Sequence, residues 1–367
     1  MYNKPFLKIN LSNLVKNYLN LSKDIKCAAV IKCNAYGLGA KEIYEHLRKN
    51  TNCKDFFVNS VEEADEILST ALSGHNNIYI LSGYTKYQLD HVFDKGFIPV
   101  CFSVEQIRDW NDHCEKVKKN KPIVVQLETG MNRLGISLQE LENVTDITRV
   151  KFFMQHLSHG YDLESDQNQS QIEKTNHFKE LINEKFNQLA NETKFSTNTL
   201  FSLSSSCGLL LGREFHGNMI RLGRFLYGFN EDCADLKLEN VAELFAKVIK
   251  INHVKKDCGV GYDHKHITEK DSKVGILNIG YGDGYIVGNS YGFLNGKYCK
   301  ILSVSMDYTM IDLTDLDLKD KDLLFANIEL LGKNITAEKL KHWNNKKAQG
   351  TEILTTIGRR VDRIYLK

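Results

Sequence analysis

CAAVIKCNAYGLGAKEIYEHLRKN (27–50) decides how this chain folds. An unbroken apolar run from Cys27 to Ile31 leads into Lys32, Gly37-Leu-Gly39 marks a turn, and apolar residues then recur at helical spacing. A half-exposed strand alternates apolar with polar residues, whereas an unbroken run is buried on both faces, as in a parallel sheet covered by helices. Such runs recur at DFFVNS (55–60), NIYILS (77–82), FIPVCFS (97–103), PIVVQLE (122–128), KFFMQHLS (151–158), LFSLSSS (200–206) and NMIRLGRFLYG (218–228). Between them, AKEIYEHLRK (40–49), VEEADEILSTAL (61–72), QLDHVFDK (88–95) and SQIEKTNHFKELINEKFNQL (170–189) carry the helical period. Eight runs separated in this way predict a closed (β/α)₈ barrel of the α/β class. Pro99 counts against the fourth run as a central strand, because it has no N–H to donate.

Beyond residue 232 the pattern changes. AELFAKVIKINHV, KVGILNIGY, KYCKILSVSMDYTMIDL and LLFANIELLG are strand-like and separated by turns rather than helices. The expected organisation is a barrel over residues 1–232 and a mainly β domain over 233–367. The chain is 42% hydrophobic and 26% charged, which provides a core and excludes a disordered chain. Lys and Arg number 48 against 46 Asp and Glu, so nucleic acid is not an expected partner. No run approaches the ~20 apolar residues of a membrane span, and MYNKPFLKINL lacks the apolar centre of a signal peptide. Nine cysteines with no CxxC pair read as reduced thiols in a cytoplasm. DLTDLDLKDKDLL (312–324) lacks the glycine and terminal glutamate of a calcium loop, and no metal site is expected there or at YDHKH (262–266).

Barrels of this kind build active sites at the C-terminal ends of their strands. Lys32, Arg133, His156, Ser204–Ser206 and Arg221 all follow or close separate runs, so they are expected at one rim. Each alone reads as a surface or satisfied core group; the convergence carries the argument. Lys32 ends an apolar strand, and a buried unpaired ammonium tends to be neutral, as a Schiff-base lysine must be. Loops after the last two barrel strands commonly bind phosphate, and Ser204–Ser206 and Gly223 stand there. A lysine beside a phosphate cradle points to pyridoxal phosphate, or to a Schiff-base aldolase acting on a sugar phosphate.

AVIKCNAYGLG (29–39) resembles the pyridoxal-phosphate lysine motif of the alanine racemase family. ETGMNRLG (128–135), MQHLSHG (154–160), MIRLGRFLYG (219–228), NIGYGDGY (278–285) and SVSMDYTMIDL (303–313) follow in that family's order, and the resemblance covers essentially the whole chain. It implies that Lys32 holds the cofactor and serves as acid/base on the D-face of the substrate, with Tyr281 as the opposite base on the L-face. It places His156 near the cofactor ring and Arg221 on the pyridine nitrogen. Tyr36, Ser205, Ser206, Gly223 and Arg224 fall at the phosphate, while Arg133 and Met306, with Asp307, fall at the substrate. A homodimer with shared sites is implied, since Tyr281 and Met306 come from the partner subunit in the family.

Departures from the family pattern are informative. Gln126 stands where some members have a lysine that becomes carbamylated, and it can offer only neutral hydrogen bonds to Arg133. Ser205 replaces the usual Asn, Leu222 a proline and Arg224 a small apolar residue. Arg359 in GRRVDR (358–363) replaces a phosphate-contacting tyrosine that crowds the substrate methyl. The expected activity is racemisation of alanine by two bases, supplying D-alanine for peptidoglycan; a racemase also accepting serine or larger residues is the alternative. A same-fold decarboxylase would need a cysteine–aspartate pair in the β domain, which is not found. A barrel-type pyridoxal-phosphate carrier would need no β domain at all.

Overall fold

The computed structural model describes residues 4–68, 76–192, 200–230, 236–286, 288–344 and 350–367. Its strands are β1 (Phe6–Asn10), β2 (Cys27–Val30), β3 (Asp55–Val58), β4 (Asn77–Ile80), β5 (Ile98–Cys101), β6 (Ile123–Gln126), β7 (Val150–Met154), β8 (Phe201–Ser202) and β9 (Ile220–Leu222). They continue with β10 (Ala242–Val254), β11 (Gly259–Val260), β12 (His266–Ile267), β13 (Ser272–Leu277), β14 (Tyr291–Leu294), β15 (Lys297–Val304), β16 (Thr309–Asp312), β17 (Asn327–Leu331) and β18 (Asp362–Leu366). The chain divides into two compact units, one comprising Tyr18–Cys33 and Ala40–Leu226, the other Met1–Asn17, Asn34–Gly39 and Tyr227–Lys367. The expected boundary at 232/233 and the end of the helix expected over 61–72 lie outside the described residues.

In the first unit β2 to β9 form a sheet of eight strands in the order β8-β7-β6-β5-β4-β3-β2-β9, with every pairing parallel. A parallel bridge from Ser205 to Arg221, just past β8, brings the two ends of that order together, so the barrel is nearly closed. β2, β3, β5 and β6 are buried at every position, as the unbroken apolar runs require. Each fully buried Val, Ile or Phe there stabilises the fold by roughly 1.5–3 kcal/mol. Pro99 is the second residue of β5, where the strand has only begun, so the missing N–H is tolerated. Helix Ala40–Asn50 buries Ala40, Ile43, Tyr44 and Leu47, one stripe at helical spacing. Ser103 caps helix Val104–Val117 by accepting from the Gln106 N–H, and left-handed Lys118 ends it.

In the second unit an antiparallel circuit runs β13-β16-β15-β14-β17-β10 and closes because β13 also pairs with β10. β10, thirteen residues long, serves both ends: Leu244–Lys247 pair with β17 and Val248–Val254 with β13. β1 pairs antiparallel to β10 and parallel to β18, so the chain's first strand belongs to this sheet. Two short helices, Ala337–Trp343 and Gly350–Thr356, lie between β17 and β18, beyond the last of the strand-like runs. Thr336 caps the first by accepting from the Lys339 N–H, and both bury small apolar faces that are too brief to show a period in sequence.

Candidate active site

β2 delivers Lys32 to the C-terminal rim of the barrel, the first residue of the turn Lys32–Tyr36. Cys33, Asn34, Ala35 and Tyr36 all have φ between +51° and +56°, a left-handed helical turn made without glycine. Each such residue costs about 1–2 kcal/mol, and strain of this kind persists where the surroundings hold it. Glu63 supplies one hold: its carboxylate accepts from the Cys33 N–H (2.7 Å) and the Asn59 N–H (2.6 Å). Ser60-x-x-Glu63 has the sequence signature of a capping box, and that was the available signal for this residue. Gly37 has φ +83°, and a Cβ there would lie 2.2 Å from the Leu354 carbonyl oxygen, so only glycine fits.

Burial lowers the Lys32 pKa from that of an ordinary lysine; Arg133 and Arg221 lower it further, against the opposing pull of Cys33 and Glu63. His156 is pushed down to about 3, chiefly by burial and then by the charges of Arg221, Arg133 and Lys32, so its imidazole is neutral at pH 7. The four rim residues expected from separate strands therefore stand within electrostatic reach of one another. Arg221 is 3% exposed, and its guanidinium donates to Ser202 O (2.8 Å), Ser202 Oγ (2.6 Å) and Gln155 O (2.6 Å). Burial brings its pKa to about 9, still above neutral, so it remains a cation held by carbonyl and hydroxyl oxygens rather than by a carboxylate. Gln155 and Ser202, its anchors, were missed because two of the three contacts are to backbone oxygens, which carry no sequence signal, and the third is to a single serine hydroxyl inside a strand-like run.

The barrel's closure forms the second cluster. Arg221 N donates to Ser204 O (3.3 Å), and Gly223 N donates to the buried Ser206 Oγ (2.8 Å). Ser205 precedes the short helical turn Ser206–Leu210, and Arg224 opens another, Arg224–Tyr227. Ser205, Ser206, Gly223 and Arg224 thus come together where β8 and β9 meet. Gln126 sits at the end of β6, and its Nε2 donates to Leu134 O (3.2 Å) rather than to the Arg133 side chain. Its influence on Arg133 runs through the backbone of that loop, whose base is also held by Arg133 N donating to Glu128 (3.4 Å).

The remaining expected residues lie in the other unit. Tyr36 packs its ring against Tyr227 at 4.8 Å between centroids. Tyr281 and Met306, 47% and 55% exposed, occupy two adjoining turns, with Tyr281 N donating to Ser305 O (3.0 Å) and Gly282 N to Met306 O (2.8 Å). Asp307 accepts from Arg360 (2.8 Å). Arg359 is exposed on the turn before β18.

A barrel with a rim lysine followed by an antiparallel β unit matches two family models, "Alanine racemase, N-terminal domain" over residues 9–231 and "Alanine racemase, C-terminal domain" over residues 241–365. The alanine racemase of Rickettsia bellii is 31% identical over 94% of this chain and 82% of its own length. That of Rickettsia canadensis is 30% identical over 98% of this chain and 99% of its own. Among solved structures, alanine racemase from Bartonella henselae with covalently bound pyridoxal phosphate is 30% identical, with a TM-score of 0.87 over 99% of each chain. Alanine racemase from Acinetobacter baumannii, 24% identical with a TM-score of 0.84, agrees in fold over the whole of both chains. The chain belongs to the alanine racemase family.

Proposed function

We propose that this protein is a pyridoxal-phosphate-dependent alanine racemase that uses Lys32 and Tyr281 as its two bases. The observation that carries the reading is the state of Lys32: a half-buried amine at a barrel rim, its pKa lowered by burial and by two guanidiniums, in a chain of this family. The donor set fits the cofactor. Lys32 offers its aldehyde an amine whose proton is held less tightly than an ordinary lysine's, and Arg221 a donor for its ring nitrogen. Ser206, Ser205, Gly223, Arg224 and Tyr36 would hold its phosphate, and His156 would lie against its ring, neutral and adding no charge. Bound there, pyridoxal phosphate supplies the electron withdrawal that makes the substrate Cα proton acidic.

Racemisation requires the proton to leave one face of Cα and return on the other, so one group is needed on each side. In this reading Tyr281 exchanges the proton of the L-face and Lys32 that of the D-face. Arg133 and the Met306 backbone N–H bind the substrate carboxylate, and Asp307 supports the Met306 turn. Because arginine keeps its proton, Arg221 leaves the ring nitrogen unprotonated and restrains transamination. The exposure of Tyr281 and Met306 supports a homodimer in which each subunit lends them to the other's site. In the same reading the protein is a cytoplasmic enzyme supplying D-alanine for peptidoglycan; among the described residues no helix is long and apolar enough to cross a membrane. The exposed Arg359, in place of a bulky tyrosine, favours a second reading in which serine or larger residues are also racemised.

Purified protein with cofactor and L-alanine in deuterated water tests the proposal. Racemisation with Cα deuteration supports it; carbon dioxide release, or a cofactor spectrum without turnover, rejects it. Turnover of alanine, serine and lysine side by side separates the strict from the broad enzyme, a preference of about 100-fold marking strictness.

A further inference from the structure

We propose that Arg360 is a positioning residue for Tyr281, clamping the Tyr281 turn and the Met306 turn through Asp283 and Asp307; this deepens the racemase reading and rests on it. Asp283 is 4% exposed. Its Oδ2 accepts from the Gly280 N–H (2.9 Å) and its Oδ1 from Arg360 Nε (2.8 Å). The same guanidinium donates through Nη1 to Asp307 Oδ1 (2.8 Å), on the residue after Met306. Thus one planar group spans two carboxylates, one in each turn, in a rigid fork that a lysine's ammonium, a point charge on a flexible stem, does not reproduce. The segment carrying Arg360 holds the Tyr281 turn by two further bonds, Gly358 N to Asp283 O (2.8 Å) and Thr356 Oγ1 to Gly284 O (2.9 Å). Gly284, at φ +84°, lies so close to Thr356 that an added Cβ would sit 1.8 Å from its carbonyl oxygen. The turn bearing the phenol is therefore seated on the 356–360 segment, and the charge clamp joins it to the substrate-side turn.

The Arg360 side chain is 56% exposed, and ion pairs this wet contribute little to global stability. Its effect is local: without it Asp283 keeps a nearly buried carboxylate lacking its cation, and joining the two turns is left to the backbone bonds Tyr281 N to Ser305 O and Gly282 N to Met306 O. A displacement of about 1 Å in a reacting group can cost up to ~10²-fold in rate.

The test uses the holoenzyme and the variants Arg360→Ala, Arg360→Lys, Asp307→Asn and the double variant Arg360→Ala/Asp307→Asn. We expect kcat/KM to fall about 10- to 100-fold in Arg360→Ala, with partial recovery in Arg360→Lys. The double variant should be no worse than Arg360→Ala alone. The Cα-deuterium isotope effect should rise with L-alanine and fall with D-alanine, because only the phenol's proton transfer is slowed. Amide hydrogen exchange over residues 280–284 and 305–308 should accelerate. Isotope effects unchanged in both directions, with activity lost only in proportion to unfolded protein, would overturn the proposal, as would unchanged amide exchange. Wild-type protein that racemises nothing would reject the racemase reading instead, and amide exchange would then decide the clamp on its own.

Discussion

Asp55→Ala probes the end of the barrel opposite the site. The Asp55 carboxylate is 1% exposed; it accepts from Asn77 Nδ2 (2.8 Å), Tyr79 OH (2.7 Å) and Lys26 Nζ (2.7 Å). Lys26 is 57% exposed, so its ion pair is worth less than about 1 kcal/mol. Tyr79 is fully buried, and a phenol stripped of its acceptor costs about 1–3 kcal/mol. The carboxylate borders a cavity of about 190 Å³ lined also by Tyr18, Lys26 and Asn77, where water can enter, so the packing loss stays small. Together these give about 1–4 kcal/mol for Asp55→Ala. Asp55→Asn keeps an oxygen for Tyr79 and should lose about 1 kcal/mol.

Equilibrium denaturant unfolding at fixed cofactor concentration measures both variants. Burial alone would raise the Asp55 pKa, but the hydrogen bonds from Lys26, Tyr79 and Asn77 and the Lys26 charge outweigh it, and the carboxyl lies below the usual carboxylate range. Its stabilisation is thus fully present above the unfolded value of ~3.9 and is lost as pH falls through the lower folded value. The difference from wild type should be flat from about pH 5 to 8 and shrink below about pH 4. Activity of the folded fraction should not change, because this face of a barrel serves stability. A loss under about 1 kcal/mol for Asp55→Ala, or one that grows on acidification, would refute this account of the network.

Three further outcomes are expected. Arg221→Glu should release pyruvate from alanine while racemisation falls, since a carboxyl would let the ring nitrogen carry a proton; pyruvate assays that stay at the wild-type level would count against the assigned role. Ser206→Ala leaves the Gly223 N–H without its acceptor and should raise the cofactor dissociation constant by about tenfold, read by titrating apoprotein with cofactor. Arg133→Ala removes one cation that lowers the Lys32 pKa. Cofactor capture by the apoprotein, followed against pH, should therefore show its midpoint moved upward, and an unmoved midpoint would contradict the electrostatic reading.

Much of the barrel is legible in sequence because its causes are local. Cys27–Val30 and Asp55–Val58 are apolar without interruption apart from Asp55, and burial on both faces follows from that alone. The rule that chemistry gathers at the C-terminal strand ends then brings Lys32, His156 and Arg221 to one rim, where burial lowers all three pKa values and neighbouring cations lower those of Lys32 and His156 further. Other features have no local cause. Phe6–Asn10 joins β10 and β18 across more than two hundred residues of sequence. Cys33 to Tyr36 turn left-handed although none is glycine, held by Glu63 and by the close seat of Gly37 against Leu354.

Sequence alone determined the barrel, the β unit that follows it and the family's motifs, because apolar periodicity and turn residues act over a few neighbours. Only the tertiary structure decided that Gln126 serves the Leu134 carbonyl, that Arg221 rests on Ser202 and Gln155, and that Arg360 joins Asp283 to Asp307. The Gln126 bond crosses a single loop, whereas the others join separate strands and turns, and their geometry exists only once those elements have packed.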